Sequence, residues 1–265
     1  MLCCLLTTAV HAESACPTDQ IDEFAVVRYV HDGDTVHLED GRKVRLIGIN
    51  TPELAQDNRP EQVYAQQARA FLNKALAKHD DRIGLRYGMA RHDRHQRTLA
   101  HLFSPNGDNI QALLLRHGLA QAIAHPPSLA FADCYAQQEQ LARCAGAGIW
   151  SHPQHTPVDA DKLTAESTGF RLVSGHIDRV SRSNTGFWLV MADLLIHINQ
   201  HDLAYFDAID LPSLAGQHVI VRGWLQPARK KQAQKHSRGR TARYFVRIRH
   251  PLAIEINGTG IEAKC

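Results

Sequence analysis

Two carboxylates and an arginine lie around a predicted β-hairpin between residues 34 and 53. Asp34 stands at the start of one strand, and Arg45 lies in the next strand, which stops at Thr51-Pro52 just before Glu53. Asp40-Gly41 between the strands is a strong two-residue hairpin signal, so the chain folds back and brings Asp34 towards the later turn. The sequence therefore predicts an acidic corner with an arginine beside it.

Three motifs occur in order along the chain: DGDTV at residues 32–36, RLIGINTPE at 45–53 and DRHQR at 93–97. This ordered set resembles the staphylococcal-nuclease-like (thermonuclease) family over roughly residues 25–150. The resemblance implies a mainly β (α+β) fold: an OB-type five-stranded Greek-key barrel with three helices. The hydrophobic pattern is compatible with it, because strand-like segments alternate with helical ones over this range.

The resemblance also implies a catalytic set. Hydrolysis of a phosphodiester requires a water that is positioned and deprotonated, and cations that neutralise charge on the phosphoryl oxygens. Glu53 is a candidate general base, and Arg45 and Arg97 are candidate phosphate ligands, since a guanidinium binds phosphate oxygens bidentately. The alternative interpretation is an ordinary surface Arg–Glu pair.

A metal site is predicted beside these residues. Asp34, Asn50 and the carbonyl of Thr51 would offer hard oxygen ligands to Ca²⁺. The family usually has aspartate where this chain has Asn50, so one negative charge is lost and Ca²⁺ should bind more weakly, or another divalent cation should be preferred. The alternative is that Asp32 and Asp34 are strand-end turn residues.

Composition places the chain among soluble globular proteins, with 265 residues, 44% hydrophobic and 22% charged. The net charge of +3 is a weak argument for a polyanionic partner. No apolar run after the N-terminal segment reaches the roughly 18 residues that a membrane span needs. We divide the chain into a signal peptide (1–12), a thermonuclease-like domain (22–152), a linker rich in Pro, His, Asp and Thr (153–167) and an OB-like accessory domain (168–258).

The N-terminal segment combines a short apolar run with Val10-His11-Ala12, which fits a signal-peptide cleavage pattern. It predicts a periplasmic or secreted protein, and the alternative is a frayed N-terminal strand. Four cysteines remain after it, which allow up to two disulfides with three pairings. Cys134 and Cys144 share a predicted helix and lie about 15 Å apart, too far to bridge. The four are Cys16, Cys134, Cys144 and Cys265.

The C-terminal segment has a strand pattern that is compatible with a second, smaller OB-like β-barrel. Between its last two long strands runs a basic stretch, and no Asp or Glu occurs from Ser213 to Ile254. OB barrels bind single strands through such loops, so we predict nucleic-acid binding here. A solvated loop, or one that binds lipopolysaccharide or an acidic membrane surface, is the alternative. The predicted nucleic-acid-binding residues are Arg94, Arg229, Lys230, Lys231, Lys235, Arg238, Arg240 and Arg243.

The residues expected to contact the substrate differ from the family pattern in two places. Ala124-His125-Pro126-Pro127 stands where the family has tyrosines that stack on the nucleotide, and Arg94-His95 replaces lysine–tyrosine. Stacking is worth roughly 1–3 kcal/mol per base, so binding at the nuclease domain should be weaker or differently specified.

The sequence as a whole predicts an exported, metal-assisted nuclease acting on DNA and RNA, with single strands favoured. Two alternatives remain open at this point. One is a non-catalytic nucleic-acid-binding protein that retains the barrel, and the other is an envelope-binding protein that acts through the basic loop.

Overall fold

The N-terminal half forms a closed barrel, seen in the computed structural model, which describes residues 14–56, 59–229 and 241–256. The barrel strands follow the order β1-β2-β3-β6-β5, and the short strands β4 and β7 pair with each other outside it. The strands are β1 (Glu23–Asp32), β2 (Thr35–Leu38), β3 (Lys43–Leu46), β4 (Ile49–Asn50), β5 (Arg82–His92), β6 (Thr98–Phe103) and β7 (Gln121–Ala122).

Within the described residues this half carries three α-helices, α1 (Ala65–Ala77), α2 (Ile110–Arg116) and α3 (Ala132–Cys144). The side chain of Asn109 caps α2 by accepting a hydrogen bond from the backbone N–H of Ala112 at 3.0 Å. Apolar residues of the strands and helices, including Val44, Leu72 and Leu114, form one core inside the barrel.

Gly48 interrupts the strand that carries Arg45. Its φ of +84° lies in the left-handed region, and a Cβ there would approach the ring of Tyr135 to 2.6 Å. The chain therefore leaves β3 at Leu46 and begins β4, whose Ile49 and Asn50 pair with Ala122 and Gln121. This local break turns Asn50 and the residues after it towards the acidic corner.

The second half is a half-barrel sheet in the order β10-β11-β12-β14-β13-β9-β8, and β15 also pairs with β13. Its core contains buried residues such as Leu189, Ile196 and Val221. The predicted fold class is confirmed: a mainly β chain with an OB-like barrel, three helices and a second, smaller barrel-like domain. The strands are β8 (Val158–Asp159), β9 (Gly169–His176), β10 (Arg179–Ser183), β11 (Gly186–Met191), β12 (Leu194–Asn199), β13 (His218–Pro227), β14 (Tyr244–Ile248) and β15 (Ile254–Ile256).

The stretch predicted as a linker, 153–167, packs on the second domain. Val158–Asp159 forms β8, which pairs in parallel with β9, and Ala160 and Leu163 are buried in the second core. Apolar side chains spaced along this Pro-rich segment account for its packing. The predicted signal peptide (1–12) lies outside the described residues.

A disulfide joins Cys16 to Cys134 with a Cα–Cα distance of 5.7 Å. It attaches the segment before β1 to α3, 118 residues further along the chain. Cys144 does not carry a free thiol either, and Cys265 lies outside the described residues. No helix in the described part of the chain is both long and apolar enough to cross a membrane.

Glu139 on α3 is a buried carboxylate at the boundary between the two halves, with 2% of its surface exposed. Arg222 on β13 approaches it to 2.6 Å, and Arg222 also pairs with Glu255 on β15 at 2.6 Å. Arg143 pairs with Glu255 at 2.8 Å and lies 3.6 Å from Glu139. Burial by itself would lower the pKa of Arg222, but the two glutamates outweigh that effect and raise it. The two halves are thus joined by a buried network of charges.

Removing one partner of this network should be costly. We expect Glu139→Ala to lower the free energy of unfolding by about 3–5 kcal/mol, because it leaves Arg222 buried with fewer counter-charges. Urea unfolding followed by circular dichroism measures the change. The control is Glu61→Ala, which removes an exposed carboxylate and should change stability by less than about 0.5 kcal/mol. Equal stability of the two variants would contradict the structural role of Glu139.

Candidate active site

Strand pairing brings the three sequence motifs to the same edge of the barrel. Thr35 on β2 pairs with Arg45 on β3, which places the β1–β2 turn beside that arginine. β3 in turn pairs in parallel with β6, with Val44 opposite Thr98. Arg97 immediately precedes Thr98, so closure of the barrel puts it next to the strand that carries Arg45.

The carboxylate of Asp34 interacts with three residues of the corner, and Asp34 is only 5% exposed. Its Oδ2 accepts the backbone N–H of Thr51 at 3.0 Å and lies 3.0 Å from Nη2 of Arg45. The hydroxyl of Thr35 donates to Oδ1 at 3.2 Å. The structure therefore brings together Asp34, Arg45 and the turn of Asn50 and Thr51.

Gly33 allows the backbone of the turn between β1 and β2 to lie close to Thr51 and α1. A Cβ at Gly33 would lie 2.7 Å from Cβ of Ala68 on α1 and 2.8 Å from Cβ of Thr51. Real side chains do not reach such separations, so the backbone between Asp32 and Asp34 packs directly against Thr51 and α1.

Asp32 belongs to the corner, although the sequence identified it only as a turn residue. Its Oδ1 accepts the backbone N–H of Asp34 at 2.9 Å. Burial raises the pKa of Asp32 to about 7, and the negative charges of Asp34 and Glu53 add to this effect, opposed by Arg45. Only the fold could identify Asp32 as part of the corner, because its raised pKa depends first on burial in the folded chain.

Glu53 ends the turn and has an exposed side chain, in contrast to the buried Asp34. Its backbone N–H donates to Oε1 of Gln62 at 2.9 Å, and its carbonyl accepts the N–H of Gln62 at 2.9 Å. These two bonds fix the backbone at the position of the candidate base. Although part of the side chain faces solvent, surrounding protein atoms partly desolvate the carboxylate and raise its pKa, and the charge of Asp34 acts in the same direction.

Three arginines counteract that shift in the pKa of Glu53: Arg45, Arg59 and Arg97. Arg45 also donates to the backbone carbonyls of Leu46 and of Ile49, the latter at 3.0 Å. Arg59 was not among the predicted site residues, since its loop carries no motif. The predicted catalytic arginines Arg45 and Arg97 therefore both lie within electrostatic range of Glu53.

Arg97 is held by the turn that precedes it. Its Nε donates to Oδ2 of Asp93 at 2.7 Å, and Nη2 lies 2.7 Å from the same oxygen. The backbone N–H of Arg97 donates to the other oxygen, Oδ1, at 2.9 Å. These bonds from Arg97 outweigh the effect of burial and hold the pKa of Asp93 below its usual value. The aspartate of the DRHQR motif thus orients the arginine.

The oxygens around Asp34 suit a hard divalent cation. The predicted ligands are the carboxylate of Asp34, the side-chain amide oxygen of Asn50 and the backbone carbonyl oxygen of Thr51. Asn50 and Thr51 are buried in the same turn. No cluster of three or more His, Cys, Asp or Glu side chains with metal-binding geometry occurs in the described residues. With a single side-chain carboxylate in the set, already engaged by Arg45, the residues fit a weakly held cation.

Of the residues predicted to bind nucleic acid, the structure describes Arg94, Arg229 and Arg243. Arg94 and Arg229 line a cleft between the two halves. Arg243 instead pairs with Asp193 at 2.5 Å and donates to the carbonyl of Leu163 at 3.1 Å, so it anchors the start of β14. The remaining predicted residues, Lys230, Lys231, Lys235, Arg238 and Arg240, lie outside the described residues.

Comparison with known proteins gives a family match. The model of the family described as Staphylococcal nuclease homologue matches residues 43–152. The chain is 35% identical over 137 residues to a thermonuclease of Staphylococcus intermedius, covering 50% of this chain and 79% of that protein. It is 30% identical over 132 residues to a thermonuclease of Staphylococcus hyicus, covering 49% and 76%. An uncharacterized endonuclease of Escherichia coli is 28% identical over 138 residues, covering 50% and 79%.

The packing of Gly33 predicts a local effect of substitution. Gly33→Ala should displace Asp34 from Thr51, lower the free energy of unfolding by about 1–3 kcal/mol and reduce activity even where the variant is fully folded. Gly41→Ala is the control, because its Cβ would meet nothing within 4 Å and only the backbone φ of +91° opposes it. It should lose stability by about 1–2 kcal/mol and keep its activity. Equal activity of the two folded variants would contradict the close approach at Gly33.

Proposed function

Because the chain belongs to the staphylococcal nuclease family, we propose that it is a metal-assisted nuclease that hydrolyses phosphodiester bonds of DNA and RNA. The observation that carries this proposal is the convergence of Asp34, Arg45, Glu53 and Arg97 at one edge of the barrel. The similar proteins are named thermonuclease and endonuclease, which supports nuclease activity in the same half of the chain.

Glu53 acts as general base in this proposal. Its partly desolvated carboxylate has a raised pKa and is therefore a better proton acceptor than an ordinary surface glutamate. It takes a proton from the attacking water, while the bonds to Gln62 keep its backbone in place.

Arg45 and Arg97 neutralise the charge that develops on the phosphoryl oxygens. Asp34 and Asp93 orient the two guanidinium groups before substrate arrives, so little reorganisation is needed during the reaction. Arg59 adds a third positive charge near Glu53 and is a candidate for the same role.

A divalent cation, Ca²⁺ in the first instance, would be held by Asp34, Asn50 and the carbonyl of Thr51. When bound, such a cation supplies charge neutralisation and a template for the phosphate. The proximity of the Asp34 carboxylate to the buried turn of Asn50 and Thr51 supports a cation at this place.

Export and a preference for single strands are further parts of the proposal. The Cys16–Cys134 disulfide supports an oxidising compartment such as the periplasm or the exterior, where disulfides persist. Single strands are favoured because the second domain offers exposed aromatic and basic groups near the barrel.

The catalytic assignment is tested by substitution. Glu53→Gln and Arg45→Met should each reduce turnover of single-stranded DNA at least ~100-fold, the scale of losing a general base or a charge stabiliser. Turnover is measured at saturating substrate with Ca²⁺, with Mg²⁺ and with a chelator. Glu61→Gln, an exposed carboxylate beyond the turn, is the control and should keep wild-type turnover. Full activity in a folded Glu53→Gln variant would remove Glu53 from the mechanism.

Asn50 provides a separate test of the metal site. Asn50→Asp restores a carboxylate to the ligand set, so half-maximal activity should need less Ca²⁺ by about an order of magnitude. A Ca²⁺ titration of initial rates measures this, and Asn73→Asp on the exposed face of α1 serves as the control. If both variants show the metal dependence of the wild type, Asn50 is not a ligand.

A further inference from the structure

A cleft of about 670 Å³ separates the barrel from the second domain. One wall includes Arg94, which belongs to the same turn as Arg97, and the opposite wall is formed by β13 and β14. The cleft therefore borders the turn that carries Arg97 and extends along the second domain. Its volume lies within the range of pockets that hold small ligands.

The cleft is positively charged. Of the described residues that line it, five are arginines and one, Asp202, is acidic. Asp202 is engaged by Arg249, whose Nη2 donates to it at 3.0 Å, and Nη1 of Arg249 lies 2.7 Å from Nε2 of His125 on the barrel side. Arg222 is likewise engaged by Glu139 and Glu255. The other three arginines of the cleft, Arg94, Arg229 and Arg247, are exposed and can face a polyanion.

An exposed tryptophan lies in this basic cleft. Along β13 the side chains alternate, so that Val221, Gly223 and Leu225 are buried and Trp224 is 45% exposed. Trp224 pairs with Phe170 across the strands, and the two rings meet edge to face with centroids 4.8 Å apart. Phe170 thus holds the indole in place while leaving it accessible.

The same sheet face continues with further flat groups. Phe245 and Arg247 on β14 lie two residues apart and so share a face, and Phe245 also lines the cleft. Arg247 pairs with His197 on β12, and His197 stacks on Trp188 of β11 with centroids 4.0 Å apart. Phe245 and His197 are buried and support this face from below, so its exposed groups next to the cleft are Trp224 and Arg247.

We propose that this cleft and the adjoining sheet face bind single-stranded nucleic acid, with Trp224 stacking on a base and Arg247 contacting a phosphate. Aromatic faces that accept any base, combined with cations that follow the backbone, characterise sequence-independent binding of single strands. A duplex keeps its bases stacked inside and cannot place one on Trp224. The inference rests on the proposed nuclease function for the identity of its ligand, since Arg94 connects the cleft to the catalytic turn.

The test measures binding separately from cleavage. In a Glu53→Gln background, the dissociation constant of a labelled 12-nucleotide single strand is measured by fluorescence anisotropy. Trp224→Ala should weaken binding about tenfold, and Trp224→Phe, which keeps a stacking ring, should weaken it less than about threefold. Phe24→Ala is the matched control, because Phe24 is an aromatic residue 60% exposed on β1, and it should leave the affinity unchanged.

Arg247 is tested by salt dependence. Arg247→Gln should reduce the slope of log affinity against log salt concentration by about 0.7, the value for one lost contact to a single strand. Arg28→Gln removes an exposed arginine of β1 and should leave the slope unchanged. Where Trp224→Ala fails to fold, the salt slope of Arg247→Gln and the fluorescence change of Trp224→Phe still test the proposal.

Four comparisons decide the outcome. A blunt duplex of the same sequence should bind Trp224→Ala and the parent protein equally. Intrinsic tryptophan fluorescence should be quenched by the single strand in the parent and less in Trp224→Phe. The proposal is overturned if Trp224→Ala and Phe24→Ala bind the single strand with equal affinity. It is also overturned if Trp224→Ala loses as much affinity for heparin, a polyanion without bases, as it loses for the single strand. Because none of these measurements needs turnover, a wild-type protein that cleaves nothing would refute the nuclease proposal and leave this one to be decided by binding.

Discussion

The buried carboxylate of Glu139 is the constraint on which the relation between the two halves depends. A charge that is 2% exposed is stable only with cations and donors close by, and this one obtains Arg222 from β13 and the backbone N–H of Ala122 from β7. Ala122 belongs to the strand that pairs with Ile49, so the same carboxylate connects the second domain to the turn of the candidate active site. The orientation of β13, and with it the position of Trp224 at the mouth of the cleft, follows from where Arg222 must lie.

Barrel closure imposes a second electrostatic constraint. The pairing of β3 with both β2 and β6 gathers Asp32, Asp34 and Glu53 at one edge. Burial raises the pKa of Asp32 and of Glu53, and the negative charge of Asp34 adds to the effect on both. Arg45 compensates part of this charge by pairing with Asp34. The arrangement is costly for folding, because like charges in a partly desolvated place destabilise it, and such costs are typical of sites where charge is used in function. Asn50 reduces the negative charge of this edge compared with an aspartate at that position.

The two halves differ in what they contribute. The barrel holds the carboxylates and arginines on strand ends and tight turns, where few degrees of freedom remain, which suits groups that must be placed accurately. The second domain presents Trp224, Phe170 and Arg247 on one face of its sheet, where alternation along the strands fixes side-chain direction without enclosing the groups. The net charge of the chain does not reveal this difference between the two halves. The chain carries only +3, yet the cleft between the halves is dominated by arginines among its described lining residues.

The sequence by itself determined what depends on neighbouring residues. The Asp40-Gly41 turn, the Asn109 cap and the strand alternation around Arg45 are local, and the three ordered motifs identified the barrel and the candidate residues Asp34, Arg45, Glu53 and Arg97. Only the tertiary structure decided what depends on distant contacts. These contacts include the disulfide between Cys16 and Cys134 and the ion pair between Arg45 and Asp34. They also include the proximity of Asp32 and Arg59 to Glu53. The ion pair between Arg222 and Glu139 joins residues 83 positions apart. Composition showed the basic stretch before Tyr244 but not the ring of Trp224 beside Phe170. Alternation along a strand shows that a side chain points away from the core of its own sheet. Which other residues that side chain then contacts depends on how separate strands and helices pack together.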